Sequence, residues 1–399
     1  MSNIPVNAIV GQSGGPTCAI NATLYGVITS CQRYGERMKT LYGMKNGIEG
    51  FLKEDFVDLF SFFEDKSRLE LLPSTPAAFL GSCRRKLPSP KDDEAFYARI
   101  IDILKRYNIR YFFYIGGNDS MDTVAKLAQY AFEKNYDICV IGIPKTIDND
   151  LVMTDHTPGY GSSAKYISTV TSEIIRDCAV YTQKAVTIIE IMGRDTGWLT
   201  TASALAGADL IYLSERAFST EKFISDVDRA LNDKHDIVVA VSEGIRYANG
   251  KYVSENNILD PFGHTALTGA SRVLAQVVKE HIGCKSRAIE LSLTQRCSSH
   301  IASLTDIEES KLIGAKSVEL ALQEQSGVMT AFKRKDPYGV DIISVPAIDV
   351  ANKIKYVPKE FINAEGNGVT QACLDYLKPL IMGEHYPNYK DGLPIHCKL

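Results

Sequence analysis

A short apolar run that stops at glycine and passes straight into a helical pattern occurs twice in this chain, and few folds accommodate that unit. Val6-Asn7-Ala8-Ile9-Val10 leads into Gly11-Gln12-Ser13-Gly14-Gly15, then into a segment with Ile20, Leu24, Val27 and Ile28 on one helical face. Tyr111 to Ile115 leads into Gly116-Gly117-Asn118-Asp119-Ser120, then into a helix carrying Val124 and Leu127. Five apolar residues bounded by glycine are too few for a buried helix and read as a buried strand. Strand, glycine turn and helix in succession build a parallel sheet with crossover helices. Pro16 is expected in the first turn of the first helix, where its missing N–H costs nothing. Asp119 or Ser120 is expected to cap the second.

The alternation continues. A helix is expected over 94–108, with Phe96, Ile100, Ile103 and Leu104 at helical spacing. Ser162-Ser163 is expected to open another, carrying Ile167, Val170, Ile174 and Ile175. Strands are expected at 186–191, 209–213, 237–241 and 288–293. Sites in such sheets lie at the carboxyl ends of strands, where every polar cluster of this chain falls. At 399 residues the chain is long enough for two cores. The Pro-rich stretch from Leu72 to Pro90 reads as a long loop, more functional than disordered given its apolar content. The stretch from about Lys333 onward carries Pro337, Pro346, Pro358 and Pro387 and yields no chemistry.

The chemistry is concentrated in Ile143-Pro144-Lys145-Thr146-Ile147-Asp148-Asn149-Asp150. This run follows the apolar Ile138-Cys139-Val140-Ile141 and sets two carboxylates at i and i+2, with a lysine three residues before the first. A carboxylate at the end of a buried strand can take a proton, and an ammonium beside it can hold phosphate oxygens. Phosphoryl transfer to a hydroxyl requires that pairing. The same residues also suit a plain Asx turn, and their neighbours decide between the two. The first glycine turn allows backbone approach to an anion at a helix N-terminus, but its spacing is neither the dinucleotide fingerprint nor the Walker loop. The second turn contains Asp119, whose bland role is to cap a helix. Its chemical role would be to occupy space. Two like charges about 4 Å apart, at an effective dielectric of roughly 20, repel by roughly 4 kcal/mol. That is about a thousandfold in binding, enough to turn away a nucleotide α-phosphate while tolerating a shorter donor.

A net charge of -4 argues against coating nucleic acid or an anionic membrane, since both need a basic face. Positive charge must then be gathered locally, and Arg84-Arg85-Lys86 is one such cluster. No stretch approaches the apolar length that spans a bilayer. The nine cysteines include no CxxC pair, and the seven histidines show no metal-ligand spacing. With no leader pattern after Met1, the expectation is a cytoplasmic enzyme without structural zinc.

These clusters resemble a known family. Gly14-Gly15, Gly116-Gly117-Asn118-Asp119-Ser120, Pro144-Lys145-Thr146-Ile147-Asp148-Asn149-Asp150, Met192-Gly193-Arg194, Glu243-Gly244 and Gln295-Arg296 stand in the order seen in 6-phosphofructokinases. The resemblance runs from about Val6 to about Asp306 and takes in His156-Thr157-Pro158-Gly159-Tyr160-Gly161 and Thr196-Gly197-Trp198. ATP-dependent members typically have glycine at the positions of Asp119 and Lys145, so the Asp/Lys combination resembles the pyrophosphate-dependent branch. The resemblance implies a glycolytic enzyme that transfers phosphoryl reversibly from magnesium pyrophosphate to the 1-hydroxyl of fructose 6-phosphate. It implies two Rossmann-like α/β domains, mostly parallel sheets flanked by helices, with the active site in the cleft between them. Residues 1–158 plus about 296–332 would hold the donor, and 159–295 plus part of 333–399 the sugar phosphate.

Residue by residue, the resemblance makes Asp148 the general base, supported by Asp150 and Thr146. Lys145 offsets donor charge, Asp119 blocks the nucleotide, and Arg194 lies near the transferring oxygens. Gly15, Asn118 and Ser120 face the donor, and Arg84 stands between donor and acceptor. Ile147, Met192, Gly193 and Glu243 line the sugar side. Arg296, and Arg287 from a neighbouring subunit, clamp the 6-phosphate, so a homodimer or homotetramer is implied, with no nucleic-acid or membrane partner. Mg2+ is the implied cofactor. Asn118 stands where many relatives have aspartate near the metal, so its carbonyl oxygen is the expected ligand, with phosphates and water completing the shell. Leu293 replaces a polar or aromatic residue near Arg296. Ala185 falls where a basic residue often crosses the interface, which leaves Lys184 as the substitute.

Rival readings are weaker. An ATP-dependent phosphofructokinase is the nearest. A non-catalytic regulatory subunit would not need Asp148, Asp150 and Arg194 together, and a nicotinamide dehydrogenase lacks its glycine spacing. Arg194 could simply pair with Asp195 or Glu190. Trp198, His156 and His300 read as packing or ordinary polar positions.

Overall fold

The two glycine-ended runs become adjacent strands at the centre of one sheet. The computed structural model describes residues 6–259, 265–267 and 269–399. The chain first lays down Val6–Gln12 (β1), Met38–Met44 (β2), Phe56–Asp58 (β3), Ile109–Gly116 (β4) and Cys139–Pro144 (β5). Val328–Lys335 and Gly339–Pro346 join them late, giving the spatial order 339–346, 328–335, β5, β4, β1, β2, β3. The inner pairings are parallel, and both outermost strands run antiparallel. Alternate residues face opposite sides: Val10, Phe113 and Ile141 bury against α1 (Ile20–Arg33), while Ile9, Phe112 and Val140 bury against the helix Glu94–Arg106. From β1 the chain moves outward through β2 and β3, then returns to place β4 and β5 on the other side. Strand order therefore reverses between β1 and β4, and the diverging loops leave a crevice at their carboxyl ends.

A second, all-parallel sheet holds Lys285–Glu290, Ala185–Ile191 (β6), Asp236–Ser242 and Leu210–Tyr212 in that order. Every residue of β6 is buried, as befits a strand covered on both faces.

The helices are fixed by long-range contacts that local sequence does not announce. The backbones of α1 and Leu304–Leu322 touch: a Cβ on Gly26 would overlap the Lys311 carbonyl, and one on Gly314 the Thr23 carbonyl. The helix Tyr160–Cys178 starts before Ser162-Ser163, because the Asp306 carboxylate accepts the Gly159 and Ser162 N–H groups, each at 2.9 Å. Pro16 lies outside α1, whose entry is held by the Thr17 hydroxyl accepting from Ala19 N and Ile20 N at 3.2 and 2.9 Å. Gly117, not Asp119 or Ser120, is the cap residue of Asn118–Glu133, and it places Asp119 in the first turn. The strand expected at 288–293 is Lys285–Glu290, since its pairing stops with the end of β6, and Leu293 instead precedes a short helix.

The Pro-rich loop is pinned from α1 and β1. Asn21 Nδ2 donates to the carbonyls of Thr75 and Ala77, both at 2.8 Å, and the Gln12 side-chain oxygen accepts from Leu80 N at 2.9 Å. The stretch after Lys333 is ordered by the edge strand 339–346 and the helix Gln371–Leu377.

Candidate active site

The carboxyl ends of both sheets open on one cleft of about 350 Å³. Gly14, Gly15, Arg84, Asp119, Ser120 and Lys145 line it from the first sheet, and Met192, Arg194, Glu243 and Arg296 from the second. Thr146, Ile147 and Asp148 lie between. The loop after β5 is shaped by its own polar groups: Thr146 Oγ accepts from Asp148 N at 3.1 Å, and Thr157 Oγ donates to the Thr146 carbonyl at 2.8 Å. Thr146 thus holds the backbone that presents Asp148.

One side of the cleft gathers like charges: Lys145 is buried, Arg296 half-buried and Arg84 exposed. Lys145 is only 2% exposed, and its ammonium donates to the Gly15 carbonyl at 2.5 Å. Burial is the main influence pulling that ammonium down to about 8, against the attraction of Asp148. A Cβ on Gly15 would stand 3.5 Å from an Arg296 nitrogen and 3.6 Å from an Arg84 nitrogen, so two guanidiniums converge there. Burial, then Arg84, lowers the pKa of Arg296. Among the described residues Lys145, Arg84 and Arg296 take part in no salt bridge. Cations gathered without carboxylate mates make an anion site.

The other side carries carboxylates. Burial raises the pKa of Asp148, reinforced by Asp150 and Glu243, while Lys145 opposes the rise. Glu243 is pushed up to about 7, chiefly by burial, and accepts from Gly193 N at 3.3 Å. Met192 N donates to Gln295 Oε1 at 3.2 Å. Of the two expected rivals for Arg194, Glu190 caps the helix Ala270–His281 through Gly269 N and Ser271 N, and Asp195 bridges to Arg246 at 2.8 Å.

Some expected site residues stand elsewhere. Asp150, Gly193 and Arg287 do not line the cleft. Asp150 sits behind Asp148, its pKa raised by burial, and Arg287 on the edge strand lies over the Tyr181 ring at 5.8 Å. The basic triplet splits: Arg84 faces Gly15, Arg85 lies over Phe96, and Lys86 reaches Asn352 and Asp119. The Asp119 side chain is 75% exposed, so water screens it, and the repulsion expected from the sequence is too large. Asn118 lines the cleft, but both ends of its amide are engaged by backbone. Its carbonyl oxygen accepts from Asn352 N, and its amide donates to the Lys353 carbonyl at 2.5 Å. Among the described residues no group of three or more His, Cys, Asp or Glu side chains is arranged to hold a metal.

One residue was missed. Lys355 donates to Asn149 Oδ1, the Thr154 carbonyl and the Asp155 carbonyl at 3.2, 3.1 and 2.8 Å, and its ammonium lies 5.2 Å over the Trp198 ring. Burial pulls it down to about 7, against Asp155 and Asp150. It stands behind the Asp148–Asp150 loop, and no local motif marks it.

Two opposed α/β sheets, a cluster of cations on one lip and a buried carboxylate between the lips suit a phosphotransferase acting on an alcohol. The chain belongs to the phosphofructokinase family, whose model matches residues 7–321. It is 40% identical to the pyrophosphate–fructose 6-phosphate 1-phosphotransferase of Halomonas elongata, across 98% of this chain and 96% of that protein. The Methylococcus capsulatus protein of the same name is also 40% identical, over the same shares. The crystal structure of a pyrophosphate-dependent phosphofructokinase from Marinobacter aquaeolei superposes with a TM-score of 0.89 at 38% identity, covering 99% of this chain and 96% of that one. The resemblance drawn from the ordered motifs is borne out, as is the α/β fold class.

Proposed function

We propose that the protein transfers a phosphoryl group reversibly between pyrophosphate and the 1-hydroxyl of fructose 6-phosphate, giving fructose 1,6-bisphosphate and phosphate. The observation that carries this reading is the position of Asp148 between the cation-lined half and the half bearing Arg194 and Glu243. Asp148 takes the proton of the 1-hydroxyl, and the freed oxygen forms its bond to the nearer phosphorus. The bridging P–O bond of pyrophosphate breaks, and phosphate leaves against Lys145, Arg84 and the backbone of Gly15. Arg194 and Lys145 meet the charge spreading over the moving group. Glu243, held by the Gly193 N–H, orients sugar hydroxyls, and Met192 and Ile147 form the floor beneath them. Arg296, with Arg287 of a neighbouring subunit, clamps the 6-phosphate in a homodimer or homotetramer. In reverse, protonated Asp148 returns the proton.

Magnesium neutralises phosphate charge in such reactions. Among the described residues no side chains form a protein cage for it, so the ion would arrive on the donor's own oxygens. Free, mostly buried cysteines suit a cytoplasmic enzyme, and among the described residues no helix is long and apolar enough to cross a membrane.

The test is a side-by-side assay of fructose 6-phosphate phosphorylation with pyrophosphate and with ATP. Turnover with pyrophosphate at least tenfold above that with ATP is expected. Faster turnover with ATP would make the chain an ATP-dependent member, and no turnover with either would favour a regulatory subunit.

A further inference from the structure

A screened carboxylate at position 119 is a weak barrier to a longer donor, and a second element stands beside it. The turn at Asn352–Lys353 lies against the start of the helix Asn118–Glu133, with both ends of the Asn118 amide bonded to its backbone. The Asn352 side chain adds two contacts: Nδ2 donates to Asp122 Oδ1 at 3.3 Å, and Oδ1 accepts from Lys86 Nζ at 3.3 Å. Lys86 stands in turn 3.9 Å from Asp119. Behind the turn, Val350 and Ala351 are buried in one apolar cluster with Met121 and Leu151. Asn352 itself has φ 60°, a left-handed conformation that asparagine tolerates. The whole turn lies outside residues 7–321.

We propose that Asn352 is a specificity-determining residue: the turn it holds braces the helix start whose Asn118, Asp119 and Ser120 line the cleft, and so fixes a cleft with room for two phosphates. This rests on the pyrophosphate reading above. The transferred phosphorus must sit beside Asp148, and the leaving phosphate beside Lys145 and Gly15. A third phosphorus along the same line meets the first turn of the helix Asn118–Glu133, which the Asn352–Lys353 backbone holds in place through Asn118. Replacing Asp119 by glycine removes the charge and leaves the turn in place.

The probes are pyrophosphate, inorganic tripolyphosphate and ATP, titrated calorimetrically into wild type, Asp119→Gly, Asn352→Gly and the double variant. Glycine keeps the left-handed backbone, so Asn352→Gly removes only the two side-chain hydrogen bonds and loosens the turn. Tripolyphosphate and ATP are expected to gain roughly tenfold in affinity over the matching Asn352 protein, with pyrophosphate changing by less than about threefold. Asn352→Ser, which keeps a shorter hydrogen-bonding group, is expected to fall between. A gain below about twofold in both backgrounds, or wild type binding tripolyphosphate as tightly as pyrophosphate, overturns the inference. Wild type turning over ATP faster than pyrophosphate strikes instead at the donor reading. Wild type preferring pyrophosphate, with variants that gain nothing, strikes at the turn alone.

Discussion

Proton and charge inventory in the cleft is expected to turn on Asp148 and Lys145, with Lys355 behind their loop. Asp148→Asn removes the base while keeping size and the Thr146-held backbone, so kcat is expected to fall by roughly 10²–10⁴ in both directions. Sugar-phosphate binding measured by calorimetry should be nearly intact; a loss below tenfold in kcat would remove Asp148 from its role. The pH profile follows from the same groups. Burial and neighbouring carboxylates raise the Asp148 pKa, so on acidification it gains its proton above the ordinary aspartate value of about 4. Lys145, held down to about 8, loses its charge on the alkaline side. A plot of kcat/KM for phosphorylation should therefore be bell-shaped. Lys145→Arg, which stays charged, should carry the alkaline limb upward and leave the acid limb alone. An unmoved alkaline limb would assign it to another group. Lys355→Met removes a donor from the Asn149, Thr154 and Asp155 oxygens, of which the Asp155 carbonyl keeps the Tyr376 hydroxyl. It is expected to lower unfolding free energy by about 1–3 kcal/mol in urea titration and to reduce kcat by displacing the loop that carries Asp148. Wild-type kcat in that variant would confine Lys355 to stability.

At the scale of elements, legibility tracks how local the cause is. The glycine turns after β1 and β4, and the loop after β5, were readable because strand, turn and functional residue lie within a dozen positions. Helix starts at residues 118 and 160 were misplaced because a backbone glycine and a distant carboxylate, Asp306, decide them. Lys355 and Asn352 were invisible for the same reason: their partners Asn149 and Asn118 lie 206 and 234 residues away. The paired glycines of α1 and the helix Leu304–Leu322 are a third case, since each looks like a poor helix residue until the backbones are seen touching. Gly314→Ala is accordingly expected to destabilise by about 1–3 kcal/mol or more, against the gain helix propensity alone would forecast. Urea titration decides the sign, and a stabilised variant would refute the close approach.

For the whole molecule, the absence of Arg287 from its own cleft has a direct test. Arg287→Ala and Asp148→Asn should each be poorly active alone. If the proposed shared site exists, unfolding and refolding them together should restore activity, because a mixed dimer would contain one site with Asp148 from one chain and Arg287 from the other. No recovery on mixing would place Arg287 outside the reaction. The order of strands in the first sheet has a consequence of a different kind. The outer edge of β5 is covered by a strand beginning at Val328, so a nascent chain leaving the ribosome carries that sheet unfinished until four-fifths of it has been translated. The second sheet, whose strands lie wholly between residues 185 and 290, can be complete while its counterpart still waits, and shielding that open edge during synthesis becomes a task for the cell rather than for the sequence.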